Sequence, residues 1–169
     1  MKIAKKNNLK VIEDAAESLG SHVNQKMIGT FGDMAIFSFA GNKVITTGEG
    51  GSIVTNSKFY SDRLKLIRSH GRSENSSYFS SIDNPNYISL GYNWRMSSIT
   101  AALAISQLDK LDKLIKLRRK NAHFISSKLS KFPEIEVPNE PVGNYHVFQL
   151  YSIILKTTKL RNQLREFLT

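Results

Sequence analysis

The segment Phe37-Ser38-Phe39-Ala40-Gly41-Asn42-Lys43-Val44-Ile45-Thr46-Thr47-Gly48-Glu49-Gly50-Gly51 is the most informative stretch of this chain. It begins as an apolar, strand-like run, turns at a Gly-Asn pair and continues after one lysine into a glycine-rich stretch. Apolar residues and turns flank Lys43, so the pattern predicts that its side chain is withdrawn from solvent. Burial lowers the pKa of a lysine because it disfavours the ammonium form. The neutral amine can then attack an aldehyde to form a Schiff base.

Asp14 supplies a second chemical group. It follows residues 9–12, whose apolar pattern predicts a short buried strand, so Asp14 is expected just past the C-terminal end of that strand. Open α/β sheets bind ligands at this edge. Enzymes that use pyridoxal 5'-phosphate need a nucleophilic lysine and an acidic partner for the pyridine nitrogen. Lys43 and Asp14 therefore predict this cofactor, with a helix cap as the alternative role for Asp14 and a structural turn lysine as the alternative for Lys43.

Hydrophobic periodicity predicts an α/β fold for the first part of the chain. Helical and strand patterns alternate there, as expected for a mostly parallel sheet. We expect the end of a helix at 3–9, strands at 9–12, 34–39 and 51–54, and a helix at 58–68 with Phe59, Leu64 and Ile67 facing inward. Residues 69–96 are rich in Ser, Asn and Pro and are predicted to be mostly irregular. A loop of that length is usually functional or mobile.

A long helix is predicted from Ser97, a good N-cap residue, to about Phe132. Such a helix would span roughly 50 Å, whereas a compact body of this chain length has a radius of gyration of about 15–16 Å. The helix must therefore either kink or reach from one body to another, and we favour the second alternative. A strand at 145–155 and a helix at 159–168 are predicted to follow. The predicted division is a large domain at 1–96, a connecting helix at 97–132 and the start of a small, incomplete domain at 133–169.

Composition limits the functional classes. The 169 residues carry a formal net charge of +10 and no cysteine, which removes disulfides and thiolate chemistry and fits a reducing, cytoplasmic compartment. No apolar run has the length of a membrane span, and the start of the chain has no apolar signal region. The four histidines show no metal-ligand spacing. We expect no metal site and no membrane partner.

The positive charge has more than one interpretation. Much of it lies between Lys110 and Lys120, interleaved with Asp109, Asp112 and leucines, which is the pattern of a helix with a solvated face. An anionic, nucleotide-bearing substrate is a second and compatible use of positive potential. Nucleic-acid binding is a third interpretation, but no recognition motif accompanies the charge. We therefore expect no nucleic-acid partner.

Four motifs in order resemble those of the DegT/DnrJ/EryC1/StrS family of sugar aminotransferases, which depend on pyridoxal phosphate and have the fold-type I architecture. The motifs are Glu13-Asp14-Ala15-Ala16-Glu17-Ser18-Leu19-Gly20, Gly29-Thr30-Phe31-Gly32-Asp33, the segment from Ser38 to Gly51, and Gly91-Tyr92-Asn93-Trp94-Arg95-Met96. The resemblance extends from about Ile3 to Leu155. The variant Phe39-Ala40-Gly41-Asn42-Lys43 is most similar to the perosamine-synthase-like branch, which aminates nucleotide-linked 4-keto-6-deoxyhexoses.

The resemblance implies a role for each matching residue. Lys43 corresponds to the Schiff-base lysine and Asp14 to the carboxylate facing the pyridine nitrogen. Glu17 occupies a position near the ring oxygen where the family more often has Gln or His. Ser38 corresponds to a phosphate-contacting serine, with a buried structural hydroxyl as its alternative. Asn93 corresponds to the asparagine that reaches the cofactor phosphate of the neighbouring subunit, with an ordinary turn asparagine as its alternative.

The resemblance also implies substrates and assembly. We expect transfer of an amino group, from glutamate or another amino-acid donor, to a nucleotide-linked keto-deoxysugar for polysaccharide or glycan biosynthesis, in a homodimer with shared active sites. From their place in the irregular segment, His70 and Arg72 are weaker candidates for substrate binding, with surface or interface pairing as the alternative for Arg72. Family members begin well before Met1 and include a phosphate-cradling turn and a ring-stacking aromatic there, so the chain resembles the central part of an aminotransferase. The alternative is a catalytically incomplete fragment that is no enzyme by itself.

Overall fold

The computed structural model describes residues 1–72 and 87–169. Its helices are α1 (Lys2–Lys6), α2 (Lys58–Arg68), α3 (Ser98–Leu108), α4 (Leu111–Leu129) and α5 (Thr158–Leu168). Its strands are β1 (Ile12–Asp14), β2 (His22–Val23), β3 (Lys26–Met27), β4 (Met34–Ser38), β5 (Gly51–Val54), β6 (Ile135–Glu136), β7 (Asn144–Tyr145) and β8 (Ile154–Leu155). The mixed arrangement confirms the predicted α/β class.

The sheet formed by β1, β4 and β5 positions the candidate site. β4 lies between the other two strands, parallel to β1 and antiparallel to β5. The register pairs Asp14 with Ile36 and Ser38 with Gly51. Because parallel strands end at the same edge, Asp14 and Ser38 both lie at the carboxyl edge of this pair. The central strand is the most buried part of the sheet, with Ala35 fully covered.

Two smaller sheets connect distant parts of the chain. β2 pairs with β3 in a hairpin and also with β7, where His22 lies opposite Tyr145. β6 pairs with β8 near the C-terminus. The pairing of β2 with β7 joins the segment after α4 to the residues that follow the first motif. The domain boundaries predicted at 97 and 133 stay predictions.

A small hydrophobic core lies immediately after Lys43. Val44, Ile115 from α4 and Val147 form a buried cluster, and Leu111, Leu114 and Tyr145 pack against it. Ile45 is also buried, with 2% of its surface exposed. The chain therefore leaves Lys43 directly into packed residues, which limits how far this lysine can move.

Several predicted elements are confirmed closely. α2 has the predicted bounds and begins at Ser57, whose hydroxyl accepts a hydrogen bond from Tyr60 N. β5 also has the predicted bounds, and β4 is one residue shorter than predicted. The helix predicted at 159–168 is α5. One facing prediction is wrong, because Phe59 is 69% exposed, whereas Leu64 and Ile67 are partly buried.

The predicted single helix at 97–132 is wrong in one respect, because it is two helices. Ser97 does cap the first, α3, accepting a hydrogen bond from Thr100 N at 3.1 Å. At the end of α3 the backbone tightens: Lys110 N donates to Gln107 O, three residues back. This i to i−3 bond ends the ladder, and α4 starts at Leu111. The predicted helix is therefore divided at Asp109 and Lys110.

Three other boundaries differ from the predictions. The strand predicted at 145–155 is divided into β7 and β8, because Phe148 adopts a left-handed conformation with φ of 49°. The strand predicted at 9–12 is β1, which begins at Ile12, so Asp14 is its last residue rather than the residue past its end. The helix predicted at 3–9 ends at Lys6, and Asn8 follows with a positive φ of 52°.

The predicted irregular segment at 69–96 lies partly outside the described residues, because residues 73–86 are not described. The two ends of the segment lie together: His70 N donates to Tyr92 O, and Ile88 N donates to Gly71 O. No helix in 1–72 or 87–169 combines the length and apolar character needed to cross a bilayer.

Glycine at position 51 is predicted to be required for the pairing of β4 with β5. A Cβ at Gly51 would lie 2.6 Å from Phe37 O, a backbone atom that cannot move without separating the strands. We expect Gly51→Ala to lower the free energy of unfolding by about 1–3 kcal/mol. The matched control is Gly41→Ala, whose Cβ would meet only Gly48 O at 4.0 Å. Urea denaturation measures both, and equal effects would contradict this account.

Candidate functional site

The end of β1 presents two adjacent carboxylates to opposite sides of the strand, because successive side chains alternate. Asp14 is exposed, and its Oδ1 accepts a hydrogen bond from Ala16 N at 3.2 Å. Glu13 accepts three backbone hydrogen bonds, from Gly29 N at 2.8 Å, Phe31 N at 2.6 Å and Gly32 N at 2.6 Å. Glu13 is thus committed to the loop before β4, while Asp14 remains accessible at the strand end.

The surroundings of Glu13 lower its pKa. Burial by itself would raise the pKa of this carboxyl, but the backbone N–H groups of Gly32, Gly29 and Phe31, assisted by the charge of Lys26, lower it further than burial raises it. A carboxylate that accepts several backbone hydrogen bonds is stabilised in its charged form. The charged Glu13 carboxylate therefore holds the Gly29-Thr30-Phe31-Gly32-Asp33 motif against β1 through its three backbone hydrogen bonds.

Lys43 lies in the loop of residues 40–47, here called the lysine loop, which follows β4 and the buried Phe39. Its side chain is 13% exposed, which confirms that it is withdrawn from solvent, and its Nζ lies 2.9 Å from Glu17 Oε1. The loop is closed by hydrogen bonds from Lys43 N to Ala40 O and from Thr47 N to Phe39 O. Glu17 is half exposed, so the ion pair lies at the mouth of the site.

Ser38 ends β4 and begins the turn into the lysine loop. Its hydroxyl oxygen accepts a hydrogen bond from Ala40 N at 3.3 Å. The strand register and the Lys43–Glu17 contact bring Asp14, Glu17, Ser38 and Lys43 to one edge of the sheet. The predicted residues from the first and third motifs therefore meet in one place.

Asn93, His70 and Arg72 form a second group beside the C-terminal end of α2. Asn93 forms an isolated bridge with Ser69, and Arg72 forms one with Tyr87. Arg72 also lies over the Tyr87 ring, 5.1 Å from its centroid. His70 has a positive φ of 60°. Asn93 is exposed.

An open groove of about 840 Å³ runs along β4 and β5 toward α2. Its walls are mainly apolar and include Phe37, Phe39, Trp94 and Met96. Trp94 stacks on Tyr92 with ring centroids 4.2 Å apart. The groove thus places the Gly91-Tyr92-Asn93-Trp94-Arg95-Met96 motif beside the strand that leads to Lys43.

Two structural contributors to the site had no assigned role in the sequence analysis. Glu13 lies in the first of the four motifs. The signal that could have identified its role is the alternation of side chains along a strand, which turns Glu13 and Asp14 to opposite sides. Gln149 is 5% exposed, and its side-chain Nε2 donates to Asn42 O at 2.6 Å. The two residues are 107 positions apart, and no local pattern reports such a contact.

Comparison with known proteins identifies the motifs. A sequence model of the DegT/DnrJ/EryC1/StrS aminotransferase family matches residues 1–169. GDP-perosamine synthase of Escherichia coli O157:H7 is 38% identical over 168 residues, covering 99% of this chain and 44% of that protein. UDP-4-amino-4,6-dideoxy-N-acetyl-beta-L-altrosamine transaminase of Campylobacter jejuni is 38% identical over 156 residues, covering 90% of this chain and 39% of that protein. The chain spans less than half the length of these curated relatives.

Solved structures share the fold. A Helicobacter pylori aminotransferase involved in pseudaminic acid biosynthesis matches 97% of this chain and 43% of its own, with a TM-score of 0.85 and 30% identity. The E. coli GDP-4-keto-6-deoxy-D-mannose-3-dehydratase, solved with bound hydrated pyridoxal phosphate, matches 98% of this chain and 45% of its own, with a TM-score of 0.85 and 33% identity. Both a transaminating and a dehydrating enzyme are therefore similar in structure to this chain.

The lowered pKa of Glu13 predicts acid sensitivity. The stability that Glu13 contributes is fully present above the ordinary pKa of a glutamate carboxyl, 4.5. It is lost as pH falls through the lowered pKa of the folded state, because the unfolded chain binds a proton at this carboxyl more readily than the folded chain does. We expect Glu13→Gln to destabilise the fold by about 1–2 kcal/mol at pH 7 and to flatten the loss of stability below pH 4.5. Urea midpoints from pH 7 to pH 3 measure both effects.

The control for this prediction is Glu136→Gln, which neutralises an exposed carboxylate on β6. The control should leave the pH dependence of the wild-type chain in place. A Glu13→Gln variant whose free energy of unfolding falls with acid as steeply as that of the wild type would contradict the stabilising role of the charged Glu13 carboxylate.

Proposed function

The chain belongs to the DegT/DnrJ/EryC1/StrS aminotransferase family, and from this membership we propose that it carries the catalytic lysine of a pyridoxal-phosphate-dependent sugar aminotransferase. The proposed reaction transfers an amino group from an amino-acid donor, glutamate by expectation, to a nucleotide-linked keto-deoxysugar for polysaccharide or glycan biosynthesis. The observation that carries the proposal is the largely buried Lys43 amine, which lies at the same sheet edge as Asp14 and Ser38. A cytoplasmic location stays a prediction.

The groups at this edge fit the proposed cofactor chemically. Lys43 offers a primary amine, Asp14 offers an accessible carboxylate for a protonated pyridine nitrogen, and Ser38 offers a hydroxyl for a phosphate oxygen. Glu17 would lie near the ring oxygen through its contact with Lys43. Pyridoxal phosphate, when bound, supplies an electron sink for the carbanion left after α-proton removal.

Lys43 is proposed to bind the cofactor covalently and then to move protons as general acid and base. The anchored loop around Lys43 limits its reach, which favours a fixed proton-transfer position. Glu17 holds the amine from the solvent side at 2.9 Å. Asp14 is proposed to keep the pyridine nitrogen protonated by presenting a negative charge to it.

The substrate class is proposed from the relatives and from charge. The relatives named above act on GDP- and UDP-linked sugars according to their names. A chain with a net charge of +10 provides positive potential that attracts a diphosphate-bearing sugar. Dehydration is the competing chemistry, since a dehydratase shares the fold. The family resemblance implies that members which dehydrate lack a lysine at the position of Lys43, and its presence here therefore favours transamination.

The alternative function is a non-catalytic fragment or interaction module. The observation behind it is that the chain spans less than half the length of its relatives. The alternative predicts that the isolated chain binds pyridoxal phosphate without saturation and has no transaminase turnover. Saturable binding that disappears in Lys43→Ala, together with turnover, would exclude the fragment interpretation.

Borohydride reduction in the presence of pyridoxal phosphate should place a pyridoxyl group on Lys43. We expect peptide mass spectrometry to find this label on the tryptic peptide that contains Lys43 and to find none there in Lys43→Ala. The control is Lys10→Ala, which removes another lysine paired with a carboxylate, Asp33, but one with a 65% exposed side chain. Labelling that is strongest on Lys10, or equal on all exposed lysines, would overturn the assignment of Lys43.

Mixing inactive variants tests the proposal that Asn93 completes the site of a neighbouring subunit. Asn93→Ala and Lys43→Ala are each expected to be inactive. Closed two-fold assembly creates two equivalent sites, so a mixed dimer should contain one intact site and regain a fraction of the activity. No recovery after demonstrated subunit exchange would place Asn93 in its own subunit's site or outside the site.

A further inference from the structure

The turn formed by residues 146–149, here called the strained turn, is held in an unfavourable backbone conformation. Phe148 has a φ of 49° although it is a bulky residue and is only 6% exposed. Non-glycine residues in the left-handed region carry a conformational penalty and persist only where their surroundings enforce them. Such strain is found at functional sites more often than elsewhere.

Contacts from three directions enforce the strained turn. Phe148 N donates to His146 Nδ1 at 3.0 Å. Arg118 on α4 donates from Nη1 to Gln149 O at 3.1 Å and to Phe148 O at 3.4 Å. The Phe148 ring packs edge-on against His146, with centroids 4.6 Å apart, and against His123 at 5.6 Å. The turn is thereby fastened to α4 and to itself.

The strained turn directs Gln149 into the protein interior. Gln149 is 5% exposed, and its Nε2 donates to Asn42 O at 2.6 Å. Because a backbone carbonyl only accepts hydrogen bonds, the side chain must present its NH₂ group to this partner. A buried amide that makes such a bond is expensive to misplace, so the contact fixes Asn42, the residue immediately before Lys43.

The residue after Lys43 is anchored by the same segment. Val44 packs in the core cluster with Val147 and Ile115. The backbone is therefore held on both sides of Lys43. Gln149 holds Asn42, which precedes it, and Val44, which follows it, packs in the core cluster with Val147. A misplacement of about 1 Å at a reacting group can reduce rate roughly 100-fold, so two anchors at adjacent backbone positions control the position of the amine.

We propose that Gln149 is a positioning residue for Lys43, and that the strained turn exists to present its amide to the lysine loop. This inference rests on the proposed function of Lys43. Gln149 touches no reacting atom in this assignment; it acts through the Asn42 carbonyl. The proposal also makes the segment after α4 part of the machinery that sets the lysine, although this segment follows Lys43 by more than 100 positions.

Hydrogen exchange tests the anchoring directly. The variant is Gln149→Met, which keeps the length and linear shape of the side chain but removes the donor. We expect the amides of Lys43 and Thr47, which close the lysine loop, to exchange roughly five- to tenfold faster, as for the loss of one net hydrogen bond. Unchanged exchange at these amides in a folded Gln149→Met would overturn the proposal.

The matched control is Tyr151→Phe. It removes the hydroxyl that lies 2.7 Å from Ser126 Oγ, two positions from Gln149, and leaves the Asn42 contact in place. We expect Tyr151→Phe to leave exchange in the lysine loop unchanged. Equal acceleration in both variants would reduce Gln149 to a general contributor to stability. Should Gln149→Met not fold, Gln149→Asn retracts the donor by one carbon and is expected to accelerate the same amides.

Reductive labelling supplies a readout that a purely structural role would not move. We expect the rate of pyridoxyl labelling at Lys43 to fall roughly tenfold or more in Gln149→Met and to be unchanged in Tyr151→Phe. If wild-type Lys43 is not labelled, the proposed function of Lys43 fails while the exchange result still decides whether Gln149 anchors the loop. Faster exchange with an undiminished labelling rate would overturn the positioning role.

Discussion

The parallel pairing of β1 with β4 is the constraint on which the candidate site depends. It sets Asp14 opposite Ile36 and so brings the ends of two separate motifs to one edge. Two carboxylates reinforce the pairing. Asp33, which precedes β4, accepts a hydrogen bond from Val11 N, and Glu13, within β1, accepts hydrogen bonds from the loop that leads into β4. Loss of this register would separate Asp14 from the lysine loop even if Lys43 stayed in place.

Much of this arrangement could be predicted from sequence because its signals are local. Apolar runs predicted β4 and β5, and Ser97 as an N-cap residue predicted the start of α3. The withdrawal of Lys43 followed from its neighbours, since a lysine between apolar residues and turns must share their burial. The position of Asp14 at the ligand-binding edge followed from the general rule that ligands bind at the carboxyl ends of strands, whereas the expected role of Ser38 followed from the family resemblance.

The parts that sequence did not predict depend on tertiary contacts. No proline or glycine stands at the break between α3 and α4, where Lys110 N donates to Gln107 O in an i to i−3 bond. The buried residues of α4 are Ile115 and Ala122. The division of the strand predicted at 145–155 arises at Phe148, a residue type that favours strands. Its left-handed conformation is imposed by Arg118 and His146, and neither contact has a sequence signature.

The distribution of charge connects stability with the proposed chemistry. Two carboxylates are committed to structural contacts, Glu13 to backbone N–H groups and Glu140 to a two-pronged ion pair with Arg119. The pKa of each is lowered as a result: by the backbone donors against burial for Glu13, and by Arg119 foremost for Glu140. These contacts hold loops without neutralising the exposed lysines of α4. A chain built in this way keeps a positive potential while it fixes its backbone, and it leaves Asp14 as an accessible carboxylate at the sheet edge. That combination suits the proposed function, in which the site attracts an anionic sugar nucleotide and Asp14 presents a negative charge to a pyridine nitrogen.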